Sequence, residues 1–242
     1  STSWQIAAEA DISGDGLADI LWRNTDGGLT WWRATGTGFL GASFYTALGN
    51  DWQVAGMGDI TGDNRDDILW RNSNGALTYW ASNGVGFETF SAYSATVGTD
   101  WQVAEMGDFN GDAMADILWR HSSGALTAWT STGSGFTGSF PVVNVGTDWQ
   151  VAGTGDFNDN GFDDVLWRNS NGAVAVWTSN GSSFAGAAGF NASVGTDWQV
   201  ADVGDYDGDG RSDILWRNTA GGLTWWESTG GGFDGNTGFF AS

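Results

Sequence analysis

Cysteine and lysine are absent from the 242 residues, and proline (Pro141) and histidine (His121) occur once each. Without cysteine there is neither a disulfide nor a thiolate metal site, so distant segments must be tied together in another way. Without lysine or cysteine and with one histidine, no lysine base, cysteine nucleophile or Ser/His/Asp set can be assembled. Positive charge is scarce too. Eight basic residues, all arginine, stand against 29 acidic ones, for a net charge of −21 and a pI near 4.1. Nucleic acid and anionic membranes need a cationic face that this chain lacks; cations or neutral partners suit it better. No apolar run reaches the length of a membrane span, so no membrane insertion is expected. The opening "STSWQIAAEAD" lacks the basic and apolar regions of a signal peptide, which fits a mature protein or a domain cut from a longer one.

What the chain does hold is glycine (40) and tryptophan (17), with 40% hydrophobic residues, enough for a buried core. The tryptophans are periodic. Trp4, Trp52, Trp101, Trp149 and Trp198 open the motif "WQ(V/I)A" at intervals of 48 or 49 residues. The "LWR" tryptophans Trp22, Trp70, Trp119, Trp167 and Trp216 keep the same step, as do Trp32, Trp80, Trp129, Trp177 and Trp226. Five repeats, roughly 1–49, 50–98, 99–146, 147–195 and 196–242, fill the chain as one domain.

Within the second repeat, "DWQVAGMGDI" (51–60), "DILWRN" (67–72) and "ALTYWAS" (76–82) read as strands, with "SNG" a turn and "FETFSAYSATVG" (87–98) a weaker fourth strand. No segment has a helical pattern. One small sheet cannot bury both faces, so four antiparallel strands recurring every 48–49 residues predict an all-β, five-bladed β-propeller with tryptophans wedged between blades.

Each repeat places an acidic turn before "ILWR", with oxygen-bearing side chains at loop positions 1, 3, 5 and 9. These are Asp11, Ser13, Asp15 and Asp19; Asp59, Thr61, Asp63 and Asp67; Asp108, Asn110, Asp112 and Asp116; Asp156, Asn158, Asn160 and Asp164; and Asp205, Asp207, Asp209 and Asp213. Asp, Asn and Gly also favour turns for local reasons. Turn propensity, however, does not require carboxylates at both 5 and 9 in register. Calcium takes six to eight mixed oxygen ligands and tolerates irregular cages better than magnesium. Up to five Ca²⁺, one per blade, are expected, tightest in the fifth loop with its four carboxylates and weakest in the fourth with two. Ala113 stands where other loops have Gly or Asn, so its turn is strained if φ is positive.

These loops, such as "GDFNGD…ADILWR", resemble the FG-GAP or VCBS-type repeats of bacterial extracellular proteins, fungal lectins and integrin-type propellers. The resemblance covers the whole chain and implies a propeller with calcium between the first and second strands of each blade. It also implies an extracellular, bacterial setting. The Gly-Ala-Pro stretch behind the family name is here "WRN".

Strand direction puts "TDWQ" and "WRN" at the opposite rim. The residues concerned are Trp4 and Arg23; Asp51, Trp52 and Arg71; Asp100, Trp101 and Arg120; Asp148, Trp149 and Arg168; and Asp197, Trp198 and Arg217. A plain reading makes these Asp–Arg pairs with Gln and Asn capping strand ends. The sharper reading is a sugar pocket, a Trp face for stacking with polar groups for hydroxyls, repeated for avidity. The third-strand position holding Trp31, Tyr79, Ala128, Val176 and Trp225 offers a further sugar surface or an inter-blade filler. His121 takes the place of Asn72 in its repeat and reads as a tolerated replacement. The expected function is therefore a non-catalytic, calcium-stabilised glycan-binding propeller. The alternative is a structural, adhesive or protein-binding scaffold domain of a larger extracellular protein.

Overall fold

The computed structural model describes residues 3–41, 46–88 and 93–240, the last five as backbone alone. Two compact units are defined: Ser1–Met106 with Ala113–Ile117 and Trp129–Thr137, and Gly107–Asp112 with Leu118–Ala128 and Gly138–Ser242.

The first sheet orders β1 (Trp4–Ala10), β2 (Asp19–Asn24), β3 (Gly28–Ala34) and β4 (Phe39–Gly41), with β5 (Thr46–Ala47) also on β3. The second orders β6 (Trp52–Gly58), β7 (Asp67–Asn72) and β8 (Ala76–Ser82), with β9 (Phe87–Glu88) and β10 (Ala95–Thr96) both on β8. The middle of this expected fourth strand, residues 89–92, lies outside the described residues. The third repeat supplies β11 (Trp101–Gly107), β12 (Asp116–His121), β13 (Ala125–Ser131), β14 (Phe136–Gly138) and β15 (Val143–Asn144). In the fourth, β16 (Trp149–Gly155), β17 (Asp164–Asn169), β18 (Ala173–Ser179) and a continuous β19 (Phe184–Ser193) lie side by side. The fifth repeats this with β20 (Trp198–Gly204), β21 (Asp213–Asn218), β22 (Leu223–Ser228) and β23 (Phe233–Phe240). No helix occurs among the described residues. The architecture is an all-β, five-bladed β-propeller.

The core is drawn mainly from the second and third strands of the blades. Leu21, Leu69, Leu118 and Leu166 are fully buried, as is Trp70, with Trp119, Trp167 and Trp216 at 1% exposure. In the second, fourth and fifth blades the "LWR" indole meets the third-strand indole of its own blade edge to face, with Trp70–Trp80 at 5.1 Å and 62° and Trp216–Trp226 at 5.2 Å and 60°. That arrangement sets the positive edge of one ring against the negative face of the other. Trp31, Tyr79, Ala128 and Val176 are buried, so this third-strand position fills the core in four repeats and leaves no sugar surface there.

One feature is hidden from alternation arguments. The first strand carries a one-residue bulge at Ala7, Ala55, Ala152 and Ala201, where its register on the second strand slips. The bulge flips which side chains face the next blade. In the second and fourth repeats glycine makes room for the neighbouring side chain, where the other repeats carry Ala8, Glu105 and Asp202. A Cβ on Gly56 would stand 2.6 Å from Met106 Sδ, and one on Gly153 2.6 Å from a methyl of Val203.

Candidate cation loops and the opposite rim

Each acidic turn is wound by its first aspartate. Asp11 accepts N–H groups from Gly14 (2.8 Å), Asp15 (3.0 Å) and Gly16 (2.7 Å). Asp59 does the same with Gly62, Asp63 and Asn64, and Asp205 with Gly208, Asp209 and Gly210. Asp108 takes Gly111 and Asp112, and Asp156 takes Asn158, Asn160 and Gly161. The backbone can present these donors because positions 4 and 6 are left-handed in every loop. Glycine fills most of them; Asn64 (φ 63°), Ala113 (φ 64°) and Asp159 (φ 61°) are the exceptions.

The ninth residue is a staple. Asp19, Asp67, Asp116, Asp164 and Asp213 are all fully buried. One oxygen of each accepts the N–H at the end of the third strand: Ala34 (2.7 Å), Ser82 (2.8 Å), Ser131 (2.7 Å), Ser179 (2.9 Å) and Ser228 (2.8 Å). The other oxygen takes loop N–H groups, as Asp19 does from Ser13 and Asp67 from Ile60 and Thr61.

Successive loops are also tied to each other. The N–H at position 8 donates to the carbonyl at position 1 of the preceding loop: Asp66 to Asp11 (2.9 Å), Ala115 to Asp59 (2.7 Å), Asp163 to Asp108 (2.7 Å) and Ser212 to Asp156 (2.8 Å). The serine hydroxyls closing the third strands reach the position-2 carbonyl of the preceding loop: Ser82 to Ile12 (2.6 Å), Ser131 to Ile60 (2.7 Å), Ser179 to Phe109 (2.7 Å) and Ser228 to Phe157 (2.5 Å). Sequence reading passed over these serines, although "WAS", "WTS", "WTS" and "WES" recur with the period.

Position 3 is different. Ser13 Oγ, Thr61 Oγ1 and Asn158 Oδ1 are buried oxygens that make no hydrogen bond. The Arg33 guanidinium, with smaller help from the Leu17 N–H and Ser13, holds the Asp15 carboxyl below its usual range. In the fifth loop, Asp205, Asp207 and Asp209 bring carboxylate oxygens within 4.8 Å of one another. At position 5, three arginines partly neutralise the loops. Arg33 pairs with Asp15 (2.8 Å), Arg65 with Asp63 (2.6 Å), and Arg211 with Asp209. In the fourth loop Asn160 instead donates to Ser179 O.

The buried carboxylates are electrostatically strained. Burial pushes Asp67 and Asp164 up to about 7, opposed by their backbone N–H donors and reinforced by neighbouring aspartates. Asp163 rises to about 6 and Asp66 also rises, again through burial. Asp205 is lowered, chiefly by the Gly210 N–H.

The opposite rim lies about 20 Å away along seven-residue strands. Here the arginines act as clamps. Arg168 donates to Gly172 O, Val194 O (3.1 Å), Gly195 O (2.8 Å) and Trp198 O (3.3 Å), and stacks 5.4 Å over Trp216 of the next blade. Arg120 (over Trp167, 5.1 Å) is held in the same way, and Arg71 grips the corresponding carbonyls of Gly75, Val97, Gly98 and Trp101, whereas Arg23 (over Trp70, 5.0 Å) reaches Leu48 O, Gly49 O and Trp52 O through Nη2 and leaves Nη1 without a partner. Arg217 is exposed. The Asp–Arg pairs of the plain reading do not form in the second and fourth repeats. Asn72 and Asn169 instead donate to Asp51 and Asp148, both at 2.7 Å. The planar guanidinium matches a fan of carbonyls better than one carboxylate.

Trp4, Trp52, Trp101, Trp149 and Trp198 are half-buried; Asp100 and Asp197 are exposed. Beside them are two clefts with polar groups in their walls. One, of about 300 Å³, is lined by Gln5, Arg23, Asn24, Asn50 and Gln53. The other, of about 360 Å³, is lined by Gln53, Arg71, Asn72, Thr99, Trp101 and Gln102.

Fold and loops together define a repeat propeller with one acidic turn per blade. The family model of the FG-GAP-like repeat matches residues 11–70, 59–119 and 156–216, and the chain belongs to that family. No curated protein matches the chain. Propellers of this family are typically non-catalytic scaffolds for adhesion or protein interaction; its repeats are typical of extracellular proteins and often bind calcium. No helix among the described residues is long and apolar enough to cross a membrane.

Proposed function

We propose that this propeller is a secreted, bacterial, multivalent carbohydrate-binding protein stabilised by calcium. The observation that carries the reading is the recurrence of one cleft type between successive blades. Both clefts combine side-chain amides with an arginine edge, and the second adds a tryptophan. Amides offer a donor and an acceptor on one rigid plane, which suits adjacent sugar hydroxyls, while an indole face suits the C–H side of a pyranose.

Calcium fits the loops on the chemistry of their donors. Buried oxygens without partners at Ser13, Thr61 and Asn158 are costly unless something supplies the missing interaction. A dication would be held by positions 1, 3 and 5. The position-9 carboxylate has about four lone-pair sites and gives two or three to N–H groups, which leaves capacity for a cation.

A glycan array tests the sugar reading, with the double variant Gln53→Ala/Gln102→Ala as control. Arg71 is unsuitable for that purpose, because its clamp holds the backbone. A glycan bound by the parent and lost from the folded double variant supports the proposal. Silence across the array leaves the adhesive scaffold, which has its own support: Trp32 (43% exposed), Phe39 (50%) and Leu40 (64%) stand on the outer strands of the first blade. Such a patch suits a protein partner.

A further inference from the structure

The fourth blade departs from its sisters on its outer strands. In the other four repeats the third strand carries threonine at Thr30, Thr78, Thr127 and Thr224; here Ala175 stands in that place. The threonine draws the following segment inward: Thr78 Oγ1 donates to Tyr93 O (2.9 Å) and Thr127 Oγ1 to Phe140 O (2.8 Å). Ala175 has no hydroxyl to do so. Opposite it, β19 loses register, with Val174 paired to Ala192 but Val176 to Ala187, so residues 188–191 arch away from β18. Phe190 turns from the arch into the core, 5.1 Å from Phe233. The arch is pinned from outside, since a Cβ on Gly189 would lie 1.9 Å from Gly231 O.

The space left is a cavity of about 360 Å³ floored by Trp167 and Trp177, walled by Trp149 and Ala187, with Asn191 its one side-chain amide. No charged residue lines the cavity, in contrast to the arginine-edged clefts at the rim.

We propose that this cavity in the fourth blade is a separate binding site for an uncharged aromatic ring bearing one hydrogen-bonding group, such as a phenol. Three indoles provide edge and face contacts for a flat ring, and one amide suffices to orient a single polar substituent. A sugar, with hydroxyls all around, would leave most of them unpaired against Ala and Val. The ring comes either from a free small molecule or from a tyrosine side chain on a partner.

The test uses the whole chain and 4-fluorophenol, observed by ¹⁹F NMR. Saturable binding to one site per chain is expected. Affinity should fall at least tenfold in Ala175→Leu, which fills the cavity, and in Asn191→Trp, which covers its mouth from an exposed position. Thermal melts establish that each variant folds. Gln53→Ala/Gln102→Ala should leave binding unchanged, which separates this site from the rim clefts. Competition by 4-methylphenol and by a tyrosine-containing peptide distinguishes the two sources, the tighter competitor naming the source. Absent saturation, undiminished binding in both folded variants, or displacement by neutral monosaccharides would each overturn the proposal.

Discussion

At the scale of single residues, the acidic loops set side-chain chemistry against backbone conformation. Ala113 takes φ 64° in a position where sister loops have Gly16, Gly161 and Gly210. A left-handed alanine costs about 1–2 kcal/mol, offset in part by glycine's greater freedom when unfolded. Ala113→Gly should therefore stabilise the protein by roughly 1 kcal/mol in urea unfolding; a loss of stability would mean that the methyl group packs usefully. Asn158 gives a sharper test. Its Oδ1 is buried without a partner, in a loop with carboxylates at only two of the four candidate ligand positions, Asp156 and Asp164. Asn158→Asp places a charge there. In metal-free protein it should destabilise by about 1–3 kcal/mol, as buried unpaired groups do. With calcium the loss should vanish or reverse. An equal loss with and without calcium would mean that this loop holds no cation.

At the scale of strands and turns, the links between blades explain what was legible and what was not. The second and third strands of the second repeat run at Asp67–Asn72 and Ala76–Ser82, as their β-rich runs between Gly and Asn punctuation indicate. The acidic turn was legible because its spacing repeats five times. The first-strand bulge was not, since an extra residue leaves no mark in composition, and the inter-blade role of Ser82 and its sisters depends on a carbonyl some 70 residues away. The rim arginines were visible as a motif, but their partners are backbone carbonyls, which carry no sequence signal. Lysine keeps the charge of Arg168 but loses the planar fork and the stacking on Trp216. Arg168→Lys should cost about 1.5–3 kcal/mol, the range for hydrogen bonds to charged groups, read by chemical denaturation at pH 7. A change within experimental error would make the clamp incidental.

At the scale of the whole molecule the governing quantity is the net charge of −21, about half of which five divalent ions would remove. Screening salt cannot substitute for them. The fifth-loop carboxylate oxygens lie within 4.8 Å of each other, inside the Debye length of about 8 Å at physiological ionic strength. The buried acids then fix the sign of the pH response. Asp67 and Asp164, raised from 3.8 to about 7, bind a proton more tightly folded than unfolded. Their contribution to stability is complete below pH 4 and is lost as the pH climbs through 7. Metal-free protein should accordingly show a Tm that falls between pH 4.5 and 7.5. A dication beside these carboxylates favours their ionised form, so with calcium the fall should flatten. At one hundred times its Kd, an ion filling one site adds about 2.7 kcal/mol. For a chain of this size that is on the order of 5–11 °C in Tm per site. Magnesium should do less, and 0.5 M NaCl should not reproduce the effect. A Tm at pH 7.5 indifferent to chelator would leave Arg33, Arg65 and Arg211 as the loops' own counter-charges, with the family's calcium chemistry absent from this member.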